Sequence, residues 1–190
     1  MKKTIFKSAA VLALTITLVS FTSLSEKKIK TEESSVTWKG HKVTGSHEGN
    51  INLSEGTLLF EGETLTGGNI VIDMSSISVT DLETGDGKEK LEGHLNSDDF
   101  FGTANHKTAN FKMTKVTGKA GNYKVTGDMT IKGITHPLSF DMMVNNNTAT
   151  ANLKVDRTKY DIRYGSASFF DNLKDKAIYD EFDLMVSLKF

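Results

Sequence analysis

The residues that could carry out chemistry in this chain are few, and they do not form a known catalytic motif. Cysteine is absent, and no Gly-x-Ser-x-Gly string marks a serine nucleophile on a tight turn. None of the histidines belongs to an H-E-x-x-H arrangement or lies three to five residues from another. The five histidines are His41, His47, His94, His106 and His136. A metal site needs three or four converging ligands, so the sequence predicts no metal site, no cofactor and no catalytic residue.

A carboxylate pair, Asp98 and Asp99, stands directly before two aromatic residues, Phe100 and Phe101. Two neighbouring carboxylates could act as a general acid and a general base. The same residues could instead cap a short helical turn, because aspartate side chains accept hydrogen bonds from the first amides of a helix. The capping interpretation is favoured.

Arg157 lies in the string Asp156-Arg157-Thr158, at the end of a segment in which apolar and polar residues alternate. Alternation places Arg157 on the same inward face as the apolar residues before it. An arginine there is costly to bury unless it is paired. It could pair within the protein or bind the polar head of a ligand, and structural pairing is favoured.

Most of the chain from residue 35 onward has a hydrophobic period of two. Residues 109–113, 123–131, 138–142, 149–155 and 182–190 each alternate apolar and polar side chains. This pattern is typical of antiparallel strands with one face in water. Glycine and asparagine clusters separate the segments, so their spacing predicts a sandwich or a barrel.

Two segments depart from this alternation. Residues 87–101 begin with a charged stretch in which Leu91 and Leu95 are four apart, which predicts a short amphipathic helix. Residues 162–179 form a long irregular loop, and such loops in compact domains are commonly lids or rims.

The first residues read as a secretory signal. Residues 1–22 have a basic start, an apolar run and small residues at the end, and the apolar run is short for a membrane span. An uncleaved anchor is the alternative. We therefore predict a signal peptide at 1–22, a flexible leader at 23–34 and one domain at 35–190, in a protein of the periplasm or one that is secreted.

The composition argues against nucleic acid as a partner and against a membrane span after residue 22. Arginine occurs only at Arg157 and Arg163, and the lysines are scattered, so there is no basic stripe for nucleic acid. No segment after residue 22 resembles a membrane-spanning helix. The sequence leaves open whether the protein is a monomer or a homodimer.

The inward-facing positions carry many large apolar residues, with small residues at Gly127, Ala149 and Ala151 that could leave room for a guest. Any one of the large residues could be ordinary core, but an eight-stranded barrel is near the size at which the interior holds one small ligand. The residues predicted to line such a pocket are Trp38, Phe60, Phe111, Met113, Met129, Phe140, Met142, Leu153, Phe169, Phe170, Phe182 and Leu184.

Four strings together carry a resemblance to a known family. They are residues 43–49 (VTGSHEG), 93–101 (GHLNSDDFF), 123–135 (YKVTGDMTIKGIT) and 156–158 (DRT). On these strings the chain resembles the YceI-like family of bacterial periplasmic proteins. The resemblance implies an all-β, eight-stranded, antiparallel, lipocalin-like barrel with an interior that binds an isoprenoid chain, such as a polyprenol or a quinone tail. His94 and Ser97 would then lie near the barrel, and with Arg157 they are candidates for the polar mouth of the pocket.

Three hypotheses follow for function. The first is a periplasmic carrier of an apolar, isoprenoid-type lipid. The second is an enzyme acting on an apolar substrate, which requires at least two of His94, Asp98 and Arg157 to converge on one cavity wall. The third is a stress-related surface or interaction protein with a dry core, which requires that no cavity takes a chain of several isoprene units.

Overall fold

The computed structural model describes residues 23–190, so the predicted signal peptide at 1–22 lies outside the described residues. The described residues form nine strands and one α-helix, α1 (Lys88–Asn96). The strands are β1 (Leu24–Lys28), β2 (Ser35–Lys42), β3 (Gly45–Glu61), β4 (Thr64–Val79), β5 (Thr108–Lys119), β6 (Asn122–Ile131), β7 (Ile134–Asn145), β8 (Thr148–Asp156) and β9 (Ile178–Lys189). Within the described residues, no helix is long and apolar enough to cross a membrane.

The strands close into an antiparallel barrel with eight positions around its wall. From β2 the wall runs through β9, β8, β7, β6, β5 and β4 to β3, which pairs back with β2. The ninth strand, β1, shares a position with β2, since β2 pairs with residues 45–51 of β3 and β1 pairs with residues 57–61. The predicted eight-stranded barrel with one short helix is confirmed, and the helix ends at Asn96, before the predicted boundary at residue 101.

The segment 23–34, predicted to precede the fold as a flexible leader, instead joins it. Ile29 is buried, and its N–H donates to the carbonyl of Gly56 at 2.8 Å. Next to it, the N–H of Lys30 donates to the carbonyl of Lys189 at 2.7 Å. Alternation could not reveal β1 because most of its residues are exposed. In the segment 23–34 only Ile29, directly after β1, has a buried side chain.

The connections differ between the two ends of the barrel. At one end, called the hairpin end, two-residue turns join β3 to β4, β5 to β6 and β7 to β8. At the other, called the cavity end, two connections are long: residues 80–107, which include α1, and residues 157–177. The segments that could form a site are therefore gathered at the cavity end.

The half of the barrel at the hairpin end is filled by side chains. Phe111 and Phe140 are in contact, with ring centroids 5.2 Å apart, and Phe60 contacts Phe190 with centroids 5.5 Å apart. The prediction that Gly127 leaves room for a guest is wrong, because a Cβ there would lie 2.5 Å from Cζ of Phe111. The ring of Phe111 occupies that space.

Candidate functional site

An apolar cavity of about 240 Å³ lies in the half of the barrel at the cavity end. Every strand of the barrel wall except β7 and β8, together with α1 and the two long connections, contributes side chains to its surface. The apolar lining residues are Val36, Trp38, Ile51, Ile72, Met74, Ile77, Leu91, Leu95, Phe100, Phe101, Ala109, Met129, Ile131, Ile178, Phe182 and Leu184.

Helix α1 and the residues after it form part of the cavity wall. Leu91 and Leu95, one turn apart, face the cavity as the predicted amphipathic pattern requires. The carboxylate of Glu92 accepts a hydrogen bond from the N–H of Val79 at 2.9 Å, which fixes the helix to the end of β4. Ser97 ends the helix, since both its N–H and its hydroxyl donate to the carbonyl of His94.

The indole of Trp38 lies inside the barrel, next to a glycine of the neighbouring strand. Its register partner on β3 is Gly49, where a Cβ would collide with the carbonyl of Ser78 and lie 2.8 Å from Cζ2 of Trp38. The indole N–H donates to that same Ser78 carbonyl at 3.1 Å. The bare backbone of Gly49 thus allows the indole to lie flat over β3 while its ring lines the cavity.

The outer edge of the cavity, here called the rim, is formed by His41, Lys42, His47, Ile178 and Tyr179, and all of these except Ile178 have polar side chains. His41 pairs with Asp183, with 2.7 Å between Nε2 and Oδ2. His47 pairs with Asp81, with 2.9 Å between Nδ1 and Oδ2.

The two carboxylates that pair with the rim histidines, those of Asp183 and Asp81, are held in their charged forms. The pKa of Asp183 lies below its ordinary value, mainly because Lys154 and then His41 donate hydrogen bonds to it. For Asp81, burial acts to raise the pKa, but hydrogen bonds from the Glu48 amide and from His47 together outweigh it, and the net shift of the pKa is downward. The rim therefore contains two histidines that pair with carboxylates, and these carboxylates remain charged in mildly acidic solution.

Replacing Asp183 with asparagine should lower stability at neutral pH by about 1 kcal/mol, as expected for a partly exposed ion pair. Because the folded-state pKa of Asp183 is depressed, its contribution is present above the unfolded-state pKa of about 3.9 and is lost as pH falls through the folded-state value. Thermal unfolding from pH 7 to pH 2.5 measures this. The exposed Asp141 supplies a matched control, D141N. A stability difference between wild type and D183N that persists at the lowest pH would contradict the assignment.

Arg157 lies inside the wall and is 2% exposed. Its guanidinium donates to three backbone carbonyls, those of Ile162 at 2.8 Å, Ile178 at 3.0 Å and Tyr179 at 3.0 Å. The carboxylate of Asp180 lies 3.8 Å from Nη2. Burial lowers the pKa of Arg157, and the charges of Asp180 and Asp156 oppose that effect. Most of its donors are used within the protein, so Arg157 fastens the long connection and the start of β9 to the barrel.

The turn that directs Arg157 inward is closed by Asp156. One oxygen of the Asp156 carboxylate accepts from both the N–H and the hydroxyl of Thr158, at 3.0 and 2.5 Å. Replacing Asp156 with alanine should cost about 1 kcal/mol, the usual effect of losing such a cap. Urea unfolding of D156A, compared with the exposed-site control D171A, tests this. Equal losses in the two variants would be inconsistent with a cap at Asp156.

The structure brings together only some of the residues predicted for the pocket. Trp38, Met129, Phe182, Leu184 and Arg157 line the cavity. The others do not: Phe169 and Phe170 are about half exposed in the long connection, and the rest belong to the packed core. Those residues are Phe60, Phe111, Met113, Met142 and Leu153, together with Phe140, which is partly buried and packs against the core.

His94, Ser97 and Asp98 do not line this cavity. The ring of His94 packs edge-on against Phe100 and Tyr164, with centroid distances of 5.0 and 4.3 Å. Phe100 also stacks with the guanidinium of Arg157, at 5.6 Å, so its ring lies between the histidine and the arginine. Of the residues that the enzyme hypothesis required to converge, only Arg157 lines the cavity wall.

The sequence prediction missed Lys42 and Tyr179 at the rim, and it gave His41 and His47 no role in the pocket. One signal was available for His47. It lies two residues before Gly49 on β3, and the period of two places both on the inward face with Ile51. The long-range partners Asp81 and Asp183 left no local signal in the sequence.

Comparison with known sequences gives a family match over nearly all of the described chain. The model of the YceI-like domain matches residues 28–190. The chain is 27% identical over 145 residues to a UPF0312 protein of Vibrio parahaemolyticus, covering 74% of this chain and 73% of that one. It is 47% identical over 57 residues to a UPF0312 protein of Staphylococcus epidermidis, covering 30% of this chain and 31% of that one.

Solved structures share the barrel at low sequence identity. BcnA of Burkholderia cenocepacia has a TM-score of 0.66 and 20% identity, covering 84% of this chain and 98% of its own. A polyisoprenoid binding domain from Saccharophagus degradans, implicated in plant cell wall breakdown, has a TM-score of 0.61 and 15% identity, covering 87% and 97%. The YceI protein of Campylobacter jejuni has a TM-score of 0.53 and 14% identity, covering 100% and 98%. At these identities the likeness extends to the fold alone.

Proposed function

The chain belongs to the YceI-like family, and from that premise we propose that it is an exported binding protein whose barrel holds the chain of an isoprenoid-type lipid. The observation that carries this proposal is the cavity itself, which is walled mainly by aliphatic and aromatic side chains, with polar groups at the rim and Arg157, already bonded to backbone carbonyls, in the wall. Ligand sites for apolar molecules have this composition. A fold neighbour from Saccharophagus is described as polyisoprenoid binding, which supports the same ligand class.

The volume of the cavity limits how much of the chain it takes without rearrangement. An apolar cavity of about 150 Å³ accommodates one benzene molecule, and an isoprene unit has a similar number of carbons. A cavity of about 240 Å³ therefore has room for one or two isoprene units. Met74 and Met129 line the cavity, and methionine side chains can rearrange around a longer guest. We propose that the part of a prenyl chain next to its head group lies in this cavity, with the head group at the rim, and that a longer chain is admitted only by this rearrangement.

The energetics require little polar chemistry. Burying apolar carbon contributes roughly 0.8 kcal/mol per CH₂, so two isoprene units would contribute about 8 kcal/mol before the cost of association. Micromolar binding needs about 8 kcal/mol after that cost is met, so a third isoprene unit, admitted by rearrangement of the lining, would have to contribute as well. Hydrogen bonds to the ligand then serve orientation and selectivity more than affinity.

A single tryptophan makes this function directly testable. Trp38 is the only tryptophan in the chain, and it lines the cavity, so an occupant must change its fluorescence. We expect titration with farnesol, a short isoprenoid alcohol, to give a saturable change with one site per chain, while free N-acetyltryptophanamide shows none. A response that does not saturate, with no rise in the unfolding temperature, would refute the proposal.

Export is part of the proposal and has a separate test. The signal-like pattern of residues 1–22 supports it. When the full chain is expressed in a bacterium, we expect the protein in the periplasm or medium, with a mature N-terminus near residue 23. Recovery of the uncleaved chain from the cytoplasm would contradict export and leave lipid binding unaffected.

A further inference from the structure

The ionisable side chains that line the cavity all carry, or can carry, positive charge, with the exception of the exposed phenol of Tyr179. They are His41, Lys42, His47 and Arg157. No aspartate or glutamate is among the lining residues in the part of the chain that the structure describes. The lining at the mouth of this otherwise apolar site therefore favours a negatively charged ligand group over a positively charged one.

Three of these four groups already have partners within the protein. His41 and His47 are held by Asp183 and Asp81. Arg157 donates to three carbonyls. The hydrogen-bonding groups of these three side chains are therefore largely used within the protein.

Lys42 differs from the other three. It is the last residue of β2 and is half-buried. Its register partner on the neighbouring strand β9 is Ile178. Among residues 23–190, no carboxylate lies within 4.0 Å of its ammonium group. The carboxylate of Asp81 is bound to His47, and that of Asp183 is bound to His41 and Lys154. An ammonium group has three donors, and those of Lys42 are available at the edge of the cavity.

We infer that Lys42 binds the anionic head group of the lipid whose chain occupies the cavity. This inference rests on the proposed function and adds the chemical class of the head group, a phosphate or carboxylate on an apolar chain. The chain would lie against Trp38 and Met129, and the head would remain at the rim, where water reaches its other oxygens. A neutral head group of the same chain would leave the ammonium of Lys42 without an acceptor from the ligand.

The test compares farnesyl phosphate with farnesol, which differ only in the head group, using Trp38 fluorescence. We expect the wild-type protein to bind farnesyl phosphate about tenfold more tightly than farnesol. In K42Q the ratio of the two dissociation constants should fall close to one. Lys124→Gln supplies the matched control, because Lys124 is an exposed lysine on β6 outside this cavity, and it should keep the wild-type ratio. The preference should weaken at high salt, which screens exposed charges.

Two further ligands separate the sources of the anion. Inorganic phosphate alone should not displace farnesyl phosphate, since it lacks the apolar chain. Dodecanoate compared with dodecanol should show the same Lys42-dependent preference if any anionic amphiphile is accepted, and no preference if the prenyl chain is needed to place the head group.

The outcomes of this experiment are distinct. Equal affinities for farnesyl phosphate and farnesol in the wild type would overturn the head-group assignment and leave lipid binding standing. A preference that survives in K42Q would overturn the role of Lys42. Absence of binding by either ligand would overturn the proposed function as well.

Discussion

Replacing Ala109 with phenylalanine should abolish farnesol binding while the barrel remains folded. Ala109 is buried in β5, pairs with Ile72 of β4, and lines the cavity. A phenyl ring is the size of the benzene that fills a cavity of about 150 Å³. It would occupy more than half of the cavity of about 240 Å³. We expect a loss of affinity of at least a hundredfold in the Trp38 fluorescence titration.

The matched control for this change is a phenylalanine on the opposite face of the same strand. Thr108 precedes Ala109 and is exposed, so T108F adds the same side chain without entering the cavity. It should bind farnesol as the wild type does. Thermal unfolding checks that A109F is folded, since overpacking a core costs about 1–3 kcal/mol. A folded A109F protein that binds farnesol with unchanged affinity would show that the ligand does not occupy this cavity.

Replacing Arg157 with methionine should lower the free energy of unfolding by about 3–5 kcal/mol. Methionine fills much of the same volume but leaves the carbonyls of Ile162, Ile178 and Tyr179 without their donors. Each buried acceptor left unsatisfied costs about 1–3 kcal/mol. Asp180 would also lose the cation 3.8 Å from its carboxylate, which adds a smaller loss because that side chain is partly exposed.

Urea unfolding monitored by circular dichroism measures this effect, with R163M as the control. Arg163 pairs with Asp161 at 2.9 Å, but its side chain is 54% exposed. Exposed pairs contribute about 1 kcal/mol or less, so R163M should be nearly as stable as the wild type. If R157M also loses no more than about 1 kcal/mol, the guanidinium does not hold the long connection to the barrel.

The strands were predictable because one face of each is wet and the other is apolar. Alternation such as that of Ala149 to Val155 places every second side chain in the core, and the structure buries those residues. The same reasoning failed for β1. Its side chains are mostly exposed, so it has no apolar face to detect, and backbone pairing with β3 is what keeps it in the sheet.

The position of the cavity along the barrel could not be predicted from alternation. A period of two says which residues face inward, but not which level of the barrel they fill. Phe111 and Met129 are register partners on neighbouring strands, yet Phe111 packs over Gly127 and Met129 lines the cavity. The difference depends on strand register and on ring contacts with Phe140.

The polar rim was also beyond local sequence patterns. His47 and Asp81 are 34 residues apart in the chain, and His41 and Asp183 are 142 apart. The β3–β4 hairpin brings the first pair together, and the pairing of β2 with β9 brings the second pair together. The prediction for Arg157 was partly correct, because alternation gave its inward direction. Its carbonyl partners in residues 162–179 could be identified only from the folded connection.

The most direct test of lipid binding is to extract the purified protein and identify what it carries. The full chain should be expressed in a bacterium and purified from the periplasm or medium without detergent. The protein is then extracted with organic solvent and the extract analysed by mass spectrometry, with A109F purified in parallel. We expect an isoprenoid-type lipid at close to one molecule per wild-type chain and little or none from A109F. An extract without lipid from the wild type, or the same lipid in equal amount from A109F, would contradict a binding function for this cavity.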